Sequence, residues 1–287
     1  MPWPFDRSYM QLALAAGVVV GACAPLIGTF LVQRRLSLLG DGLGHVAFAG
    51  VAAGLLAGVW PVWSALVVAV LGALALERIR ARRATSGDLA LALFFYGGIA
   101  GGVVLTGVSH SLDANILSYL FGAILTVSPS EVWMIAGLGA AIVALVAVIG
   151  RALFAVALDE EAARVAGLPV DALNSLLAVM AAITVVVSMR VVGILLVAAL
   201  MVLPVGASQA FARSFRSTLT GAAAVGVGSV TGGLTIARAL ALPAGGTIVL
   251  LAAIVFGLAA ALTRRRPAVQ VLPAASAEPA RAGDEPH

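Results

Sequence analysis

Two residues with metal-binding side chains stand four positions apart in an apolar stretch. A helix would place Asp41 and His45 on one face, and an imidazole with a carboxylate suits Mn²⁺, Fe²⁺ or Zn²⁺. Gly40, Gly42 and Gly44 surround the pair, as in the glycine-interrupted helices that form ion sites in transporters. The pair could therefore contact a metal ion. A proton relay, or a capping Asp beside a packed His, are the alternatives that the spacing leaves open.

A second group of charged residues interrupts the apolar pattern at positions 158–169. Acidic residues begin this segment, Arg164 follows them, and a Gly-x-Pro sequence starting at Gly167 ends it. Acids at the start and a base near the end match the helix dipole, and glycine commonly terminates helices. The pattern predicts a short cytoplasmic helix that docks a cytoplasmic partner, with a solvated loop as the alternative.

Five other ionisable residues have simpler interpretations. His110 and Asp113 lie in a polar stretch that we expect to be an outer loop. Arg190 and Arg238 fall near outer helix ends, where snorkelling to the membrane surface would accommodate them. Glu131 follows a Ser-Pro-Ser sequence and is expected to start a helix.

The composition excludes several classes of protein. Hydrophobic residues make up 62% of the 287 positions and charged residues only 10%, far too few for a soluble domain. All seventeen basic residues are arginine, so the chain has no lysine for a Walker A loop or a Schiff base. Any ATP-driven work must come from a partner chain. Nucleic-acid binding is not expected, because the arginines cluster at helix ends, where they set membrane orientation.

The apolar runs predict an all-α, polytopic membrane protein with about nine transmembrane helices. A shorter run at 114–127 is expected to be a re-entrant or surface helix. Placing the arginine clusters in the cytoplasm puts the amino terminus outside and the carboxyl terminus inside. Residues 1–263 form the predicted transmembrane domain, and 264–287 a disordered cytoplasmic tail. The predicted spans are 9–32, 43–59, 61–77, 88–108, 131–150, 172–190, 193–211, 217–240 and 245–263.

Several glycines recur at a spacing of four, which lets helix backbones approach closely. We expect these glycines to mark helix packing rather than chemistry. They are Gly50/Gly54/Gly58, Gly97/Gly101, Gly98/Gly102 and Gly228/Gly232.

Several motifs follow one another along the sequence. In residues 34–52 an Arg-Arg pair precedes a Gly-Asp-x-x-x-His segment and a run of small residues. The acidic segment contains Asp-x-Glu-x-Ala-x-x-x-Gly, at Asp159, Glu161, Ala163 and Gly167. With these motifs the sequence resembles the permease subunits of zinc/manganese/iron ABC importers, to which residues 118–128 and 192–204 are also similar. The similarity extends over roughly residues 10–263.

This resemblance implies a permease without its own ATPase, in the plasma membrane, whose transported ion is Zn²⁺, Mn²⁺ or Fe²⁺, with no permanently bound cofactor. It further implies three partners: a cytoplasmic ABC ATPase, an extracytoplasmic metal-binding protein and a second permease copy, as a homodimer. Asp41 and His45 match the positions expected to meet the metal, and Asp159, Glu161, Ala163 and Gly167 the region expected to contact the ATPase. Ala241 departs from the family, where an Asp is common.

A proton-coupled secondary transporter, with Asp41 as proton carrier, is the alternative function.

Overall fold

The computed structural model describes residues 5–82, 87–108, 114–122 and 128–263. Within these ranges the chain forms α helices joined by turns, without a β strand. The predicted all-α architecture is therefore confirmed. The helices are α1 (Ser8–Gln33), α2 (Leu39–Leu56), α3 (Pro61–Ala81), α4 (Gly87–Val108), α5 (Ala114–Phe121), α6 (Pro129–Leu158), α7 (Glu160–Val165), α8 (Val170–Met189), α9 (Ile194–Gln209), α10 (Phe215–Leu240) and α11 (Ala244–Thr263).

Eight of the described helices are long and apolar enough to cross a bilayer, namely all except α5, α7 and α9. Helix α9 is apolar but has only 16 residues. That length corresponds to roughly 24 Å, against about 30 Å for the hydrocarbon core. Each of the nine predicted spans coincides with one of these eight helices or with α9. The chain is a multi-pass membrane protein.

Three helices form the centre of the molecule. In each of α1, α2 and α8, 67% of the residues in an apolar stretch of 18 are buried. The same fraction is 17% in α6 and 22% in α4. Helix α2 packs against α3 and α4 on its two flanks, and α1 packs against α10. The outer helices therefore expose apolar faces to lipid, while α2 is enclosed by protein.

Glycines permit the close approach of α4 to α2. A Cβ atom built on Gly98 would lie 2.6 Å from the carbonyl carbon of His45, and one on Gly102 would lie 2.3 Å from the ring of Phe48. Gly97, one position earlier, meets nothing within 4 Å. The four-residue spacing thus marks a packing face at Gly98 and Gly102, but not at Gly97.

Helix α5 has eight residues, too few to cross the membrane, as predicted for this short apolar run. It contacts α2, α8 and α9. A Cβ atom on Gly193, whose φ is +94°, would lie 2.4 Å from the carbonyl oxygen of Leu120. A side chain at position 193 would collide with the backbone of α5. The end of α5 therefore packs directly against the turn between α8 and α9.

Some sequence predictions fall outside the described residues. They are the disordered tail at 264–287, the His110 and Asp113 loop, and the last residues of the predicted 114–127 segment.

Candidate functional site

The structure brings Asp41 and His45 together on α2. Oδ1 of Asp41 lies 3.9 Å from Nε2 of His45. The side chain of His45 is 11% exposed and that of Asp41 32%. Asp41 occupies the first turn of the helix, where a negative charge is favoured by the free backbone N–H groups. The two side chains therefore share one face, with the acid more accessible than the imidazole.

The neighbouring helices enclose this pair. The His45 ring packs edge-on against Phe95 of α4, with 4.5 Å between ring centres. On the other side, a Cβ atom on Gly44 would lie 3.3 Å from the carbonyl oxygen of Ile194 at the start of α9. A Cβ atom on Gly40 would lie 3.1 Å from the sulfur of Met201. The glycines around the pair thus allow α9 to approach α2 closely, and they fix the surroundings of both potential ligands.

Two protein ligands are available at this position in one chain. Among the described residues, no group of three or more His, Cys, Asp and Glu side chains is placed to hold a metal ion. A metal at this site would need water or a second molecule to complete its coordination. This arrangement suits an ion in transit better than a structural metal, which normally has a closed set of four ligands.

The acidic segment forms the short helix α7, as predicted. Asp159 caps it, because its carboxylate accepts hydrogen bonds from the backbone N–H groups of Glu161 and Ala162, at 2.9 and 3.0 Å. Ala163 is buried, and Gly167 ends the segment with a φ of +83°. Of the four residues expected to contact an ATPase, three build or anchor the helix. Glu161 is exposed on its surface.

Ion pairs connect α7 to the rest of the molecule. Arg34, at the end of α1, donates a hydrogen bond from Nη2 to Oε1 of Glu160. Asn174 of α8 donates to the same oxygen at 3.3 Å. Arg164 pairs with Asp171 at 2.7 Å, and this hydrogen bond raises the pKa of Arg164. Glu160 is absent from the residues predicted by the family pattern, although it lies inside the acidic segment.

A further charged group lies at the opposite end of the helices. Arg190, at the end of α8, has its Nε atom 2.9 Å from Oε1 of Glu131 at the start of α6. Its guanidinium carbon also lies 5.0 Å from the ring centre of Tyr119 in α5. Arg190 and Glu131 are 8% and 4% exposed. The snorkelling explanation for Arg190 is therefore wrong, because a buried carboxylate pairs with it.

Arg238, at the same end, pairs with Asp6 at 2.9 Å and donates a hydrogen bond to the hydroxyl of Tyr9. The expectation that Glu131 starts a helix is met as well, since it forms a capping box with Ser128. Charges at this end of the helices thus join α1 to α10 and α6 to α8.

Comparison with known proteins identifies the family. Residues 6–263 match the family described as the ABC 3 transport family. This chain belongs to the ABC 3 transport family. The family resemblance predicted from residues 34–52 and from the acidic segment is confirmed by this match.

Individual relatives are similar to this chain over most of their length. The manganese import system permease protein ScaB of Streptococcus gordonii is 27% identical, over 88% of this chain and 90% of its own. The high-affinity zinc uptake system membrane protein ZnuB of Haemophilus influenzae is 28% identical, over 85% of this chain and 94% of its own. The solved structure of PsaBC from Streptococcus pneumoniae in complex with Fab superposes with a TM-score of 0.80 at 30% identity, covering 88% of this chain and 91% of that one.

Proposed function

We propose that this chain is the membrane-spanning subunit of an ATP-driven importer of a divalent transition metal. In this proposal the metal ion passes the Asp41–His45 pair on its way to the cytoplasm. The observation that carries the proposal is the 3.9 Å separation of Asp41 Oδ1 and His45 Nε2 on an enclosed face of α2. Carboxylate oxygen and imidazole nitrogen bind such metals at about 2.0–2.2 Å, so one shared ion holds the two atoms roughly 3–4 Å apart.

The type of ligand indicates the type of metal. Oxygen and nitrogen ligands accept Mn²⁺, Fe²⁺ and Zn²⁺. The relatives ScaB and ZnuB are named for manganese import and zinc uptake, which supports this substrate class. Two ligands per chain, completed by water or by a second copy of the chain, bind weakly enough to release the ion.

The energy source in this proposal is a separate ATPase. The chain has no lysine with which to build a Walker A loop. Relatives that are named as permease proteins support the assignment of ATP hydrolysis to a separate chain. Helix α7 and its flanks form the ATPase contact. Glu161 is exposed on the surface of the helix, and Asp159, Ala163 and Gly167 hold the helix in the position that the contact needs. An extracytoplasmic binding protein delivers the metal from the other side, and two permease copies form the pathway.

The test is metal uptake by proteoliposomes that contain the chain together with its ATPase. Asp41→Asn and His45→Ala should each lower Mn²⁺ or Zn²⁺ uptake at least about tenfold, because residues that merely orient metal ligands already contribute about 10–100-fold. Both variants should still insert and recruit the ATPase. Asp88→Asn is the matched control, since Asp88 is an exposed acid in the first turn of α4. Its uptake should stay within about twofold of the parent.

Two outcomes would overturn the proposal. Unchanged uptake in both Asp41→Asn and His45→Ala would remove the metal role of the pair. Uptake that survives replacement of the Walker lysine in the ATPase, but stops when the proton gradient is collapsed, would favour a proton-coupled secondary transporter.

A further inference from the structure

An ion pair connects the cytoplasmic helix α7 to the segment that leads into the metal pair. Arg34 directly follows the last residue of α1, and its side chain is only 7% exposed. Its guanidinium donates to Oε1 of Glu160, in the first turn of α7, and Asn174 of α8 donates to the same oxygen at 3.3 Å. One carboxylate therefore holds the ends of three helices together.

The chain between Arg34 and the metal pair is short and internally hydrogen-bonded. Arg35 adopts a left-handed conformation with a φ of +58°. The N–H of Leu36 then donates to the carbonyl of Leu31 at 2.8 Å, and the N–H of Leu39 donates to the carbonyl of Leu36 at 2.9 Å. Helix α2 starts at that point, with Asp41 in its first turn. Arg34 is thus joined to α2 by a short, hydrogen-bonded turn, which can pass a displacement of Arg34 on to Asp41.

Helix α7 is a short, capped helix that borders a cavity. Asp159 caps its start, and Ala163 packs its buried side against the protein. Its other ion pair, between Arg164 and Asp171, runs to α8 and is exposed on both sides. A cavity of about 450 Å³, lined by Arg34, Glu160 and Asn174 among others, opens beside the link. The space beside the Arg34–Glu160 contact is therefore not filled by side chains.

We propose that Arg34 and Glu160 form the mechanical link by which movement of α7 is transmitted to Asp41 and His45, so that Arg34 acts as a positioning residue for metal release. The proposal rests on the function proposed above, because it assumes that an ATPase moves α7. Glu160 acts here within the chain, by its bond to Arg34, and not as a contact to the ATPase. Networks of ion pairs and hydrogen bonds of this kind can carry coupling between distant sites.

The experiment measures metal transported per ATP hydrolysed, with Mn²⁺ as the probe, in proteoliposomes that contain the chain and its ATPase. Arg34→Gln and Glu160→Gln should each lower this ratio about tenfold, within the range found for residues that transmit coupling. ATP hydrolysis and co-purification of the ATPase should persist. The charge-reversed double variant, Arg34→Glu with Glu160→Arg, should restore the ratio to within about threefold of the parent, since the pair is re-formed.

Arg213→Gln is the matched control, because Arg213 is an exposed arginine in the turn between α9 and α10, and its ratio should not change. The proposal is overturned if the single variants keep the parental ratio of metal transported per ATP hydrolysed. It is also overturned if the single variants lower the ratio and the charge-reversed double variant does not restore it, a result that would favour direct contact between Glu160 and the ATPase. Failure of the proposed function looks different: the parent protein itself would then transport no Mn²⁺ when ATP is supplied.

Discussion

Among the described residues, four helix ends combine a left-handed residue with a backbone hydrogen bond that closes the last turn. Gly58 and Gly167 have φ values of +67° and +83°, and they follow α2 and α7. Arg35 and Ala241 adopt the same conformation after α1 and α10, with φ values of +58° and +52°. In each case the next residue donates its N–H to a carbonyl five positions earlier, such as Leu242 to Ala237 at 2.9 Å. This is the usual glycine-type helix stop, formed twice without glycine.

Replacing Ala241 with glycine should stabilise the protein. A left-handed conformation costs an L-residue about 1–2 kcal/mol, and glycine removes that cost. For a chain of this size we expect an increase of about 2–4 °C in the melting temperature in detergent. Ala224→Gly is the control: Ala224 lies exposed in the interior of α10, and the same change there should cost about 1 kcal/mol. A melting temperature lower than that of the parent for Ala241→Gly would contradict the inference that the backbone at Ala241 is strained.

At the residue scale, sequence analysis succeeds where both partners lie within one helical turn. Asp41 and His45 were predictable because the helical period places them together. The Gly-x-Pro signal predicted the end of α7 in the same way. Glu131 and Arg190 stand 59 positions apart, and no local period connects them. Their pairing depends on how α6 packs against α8, which the sequence alone does not determine.

At the scale of helices, the glycine spacing predicted close packing but not its register. Helix α4 has two overlapping glycine pairs, starting at Gly97 and Gly98, and both have the same spacing. Only the rotation of α4 about its axis decides which pair faces α2. That rotation depends on side chains from two helices, so a one-helix pattern cannot distinguish the two registers.

The register can be tested with two neighbouring substitutions. In Gly98→Ala the new methyl group would lie 2.6 Å from the carbonyl carbon of His45 and 2.8 Å from its oxygen. We expect a loss of about 1–3 kcal/mol in stability, as for other overpacked sites, and lower Mn²⁺ uptake because His45 is displaced. Gly97→Ala places its methyl group in open space and should be neutral or stabilising by up to about 1 kcal/mol. Melting temperature and uptake would show whether the two variants differ; equal effects would contradict this packing.

At the scale of the whole molecule, the ion pairs agree with one membrane orientation. If α9 and the eight longer helices all cross, the end of α1 and the start of α7 lie on one side, and Arg34 meets Glu160 there. The starts of α1 and α6 then lie on the other side, with the ends of α10 and α8. This places Asp6 beside Arg238 and Glu131 beside Arg190, as the structure does. The positive-inside rule assigns the Arg34 side to the cytoplasm.

This orientation depends on whether α9 crosses the membrane, because its 16 residues are short for a crossing. We expect a membrane-impermeant maleimide to label Val59→Cys and Leu242→Cys in intact cells, and Arg213→Cys only after permeabilisation. Val59 and Leu242 are 55% and 48% exposed, whereas the natural Cys23 is 2% exposed, so the unmodified chain should give little background. If α9 turned back instead of crossing, Arg213→Cys would be labelled from outside and Leu242→Cys would be protected. Labelling of Arg213→Cys in intact cells would therefore contradict nine crossings, while protection of Arg213→Cys with labelling of Leu242→Cys requires that α9 spans the membrane.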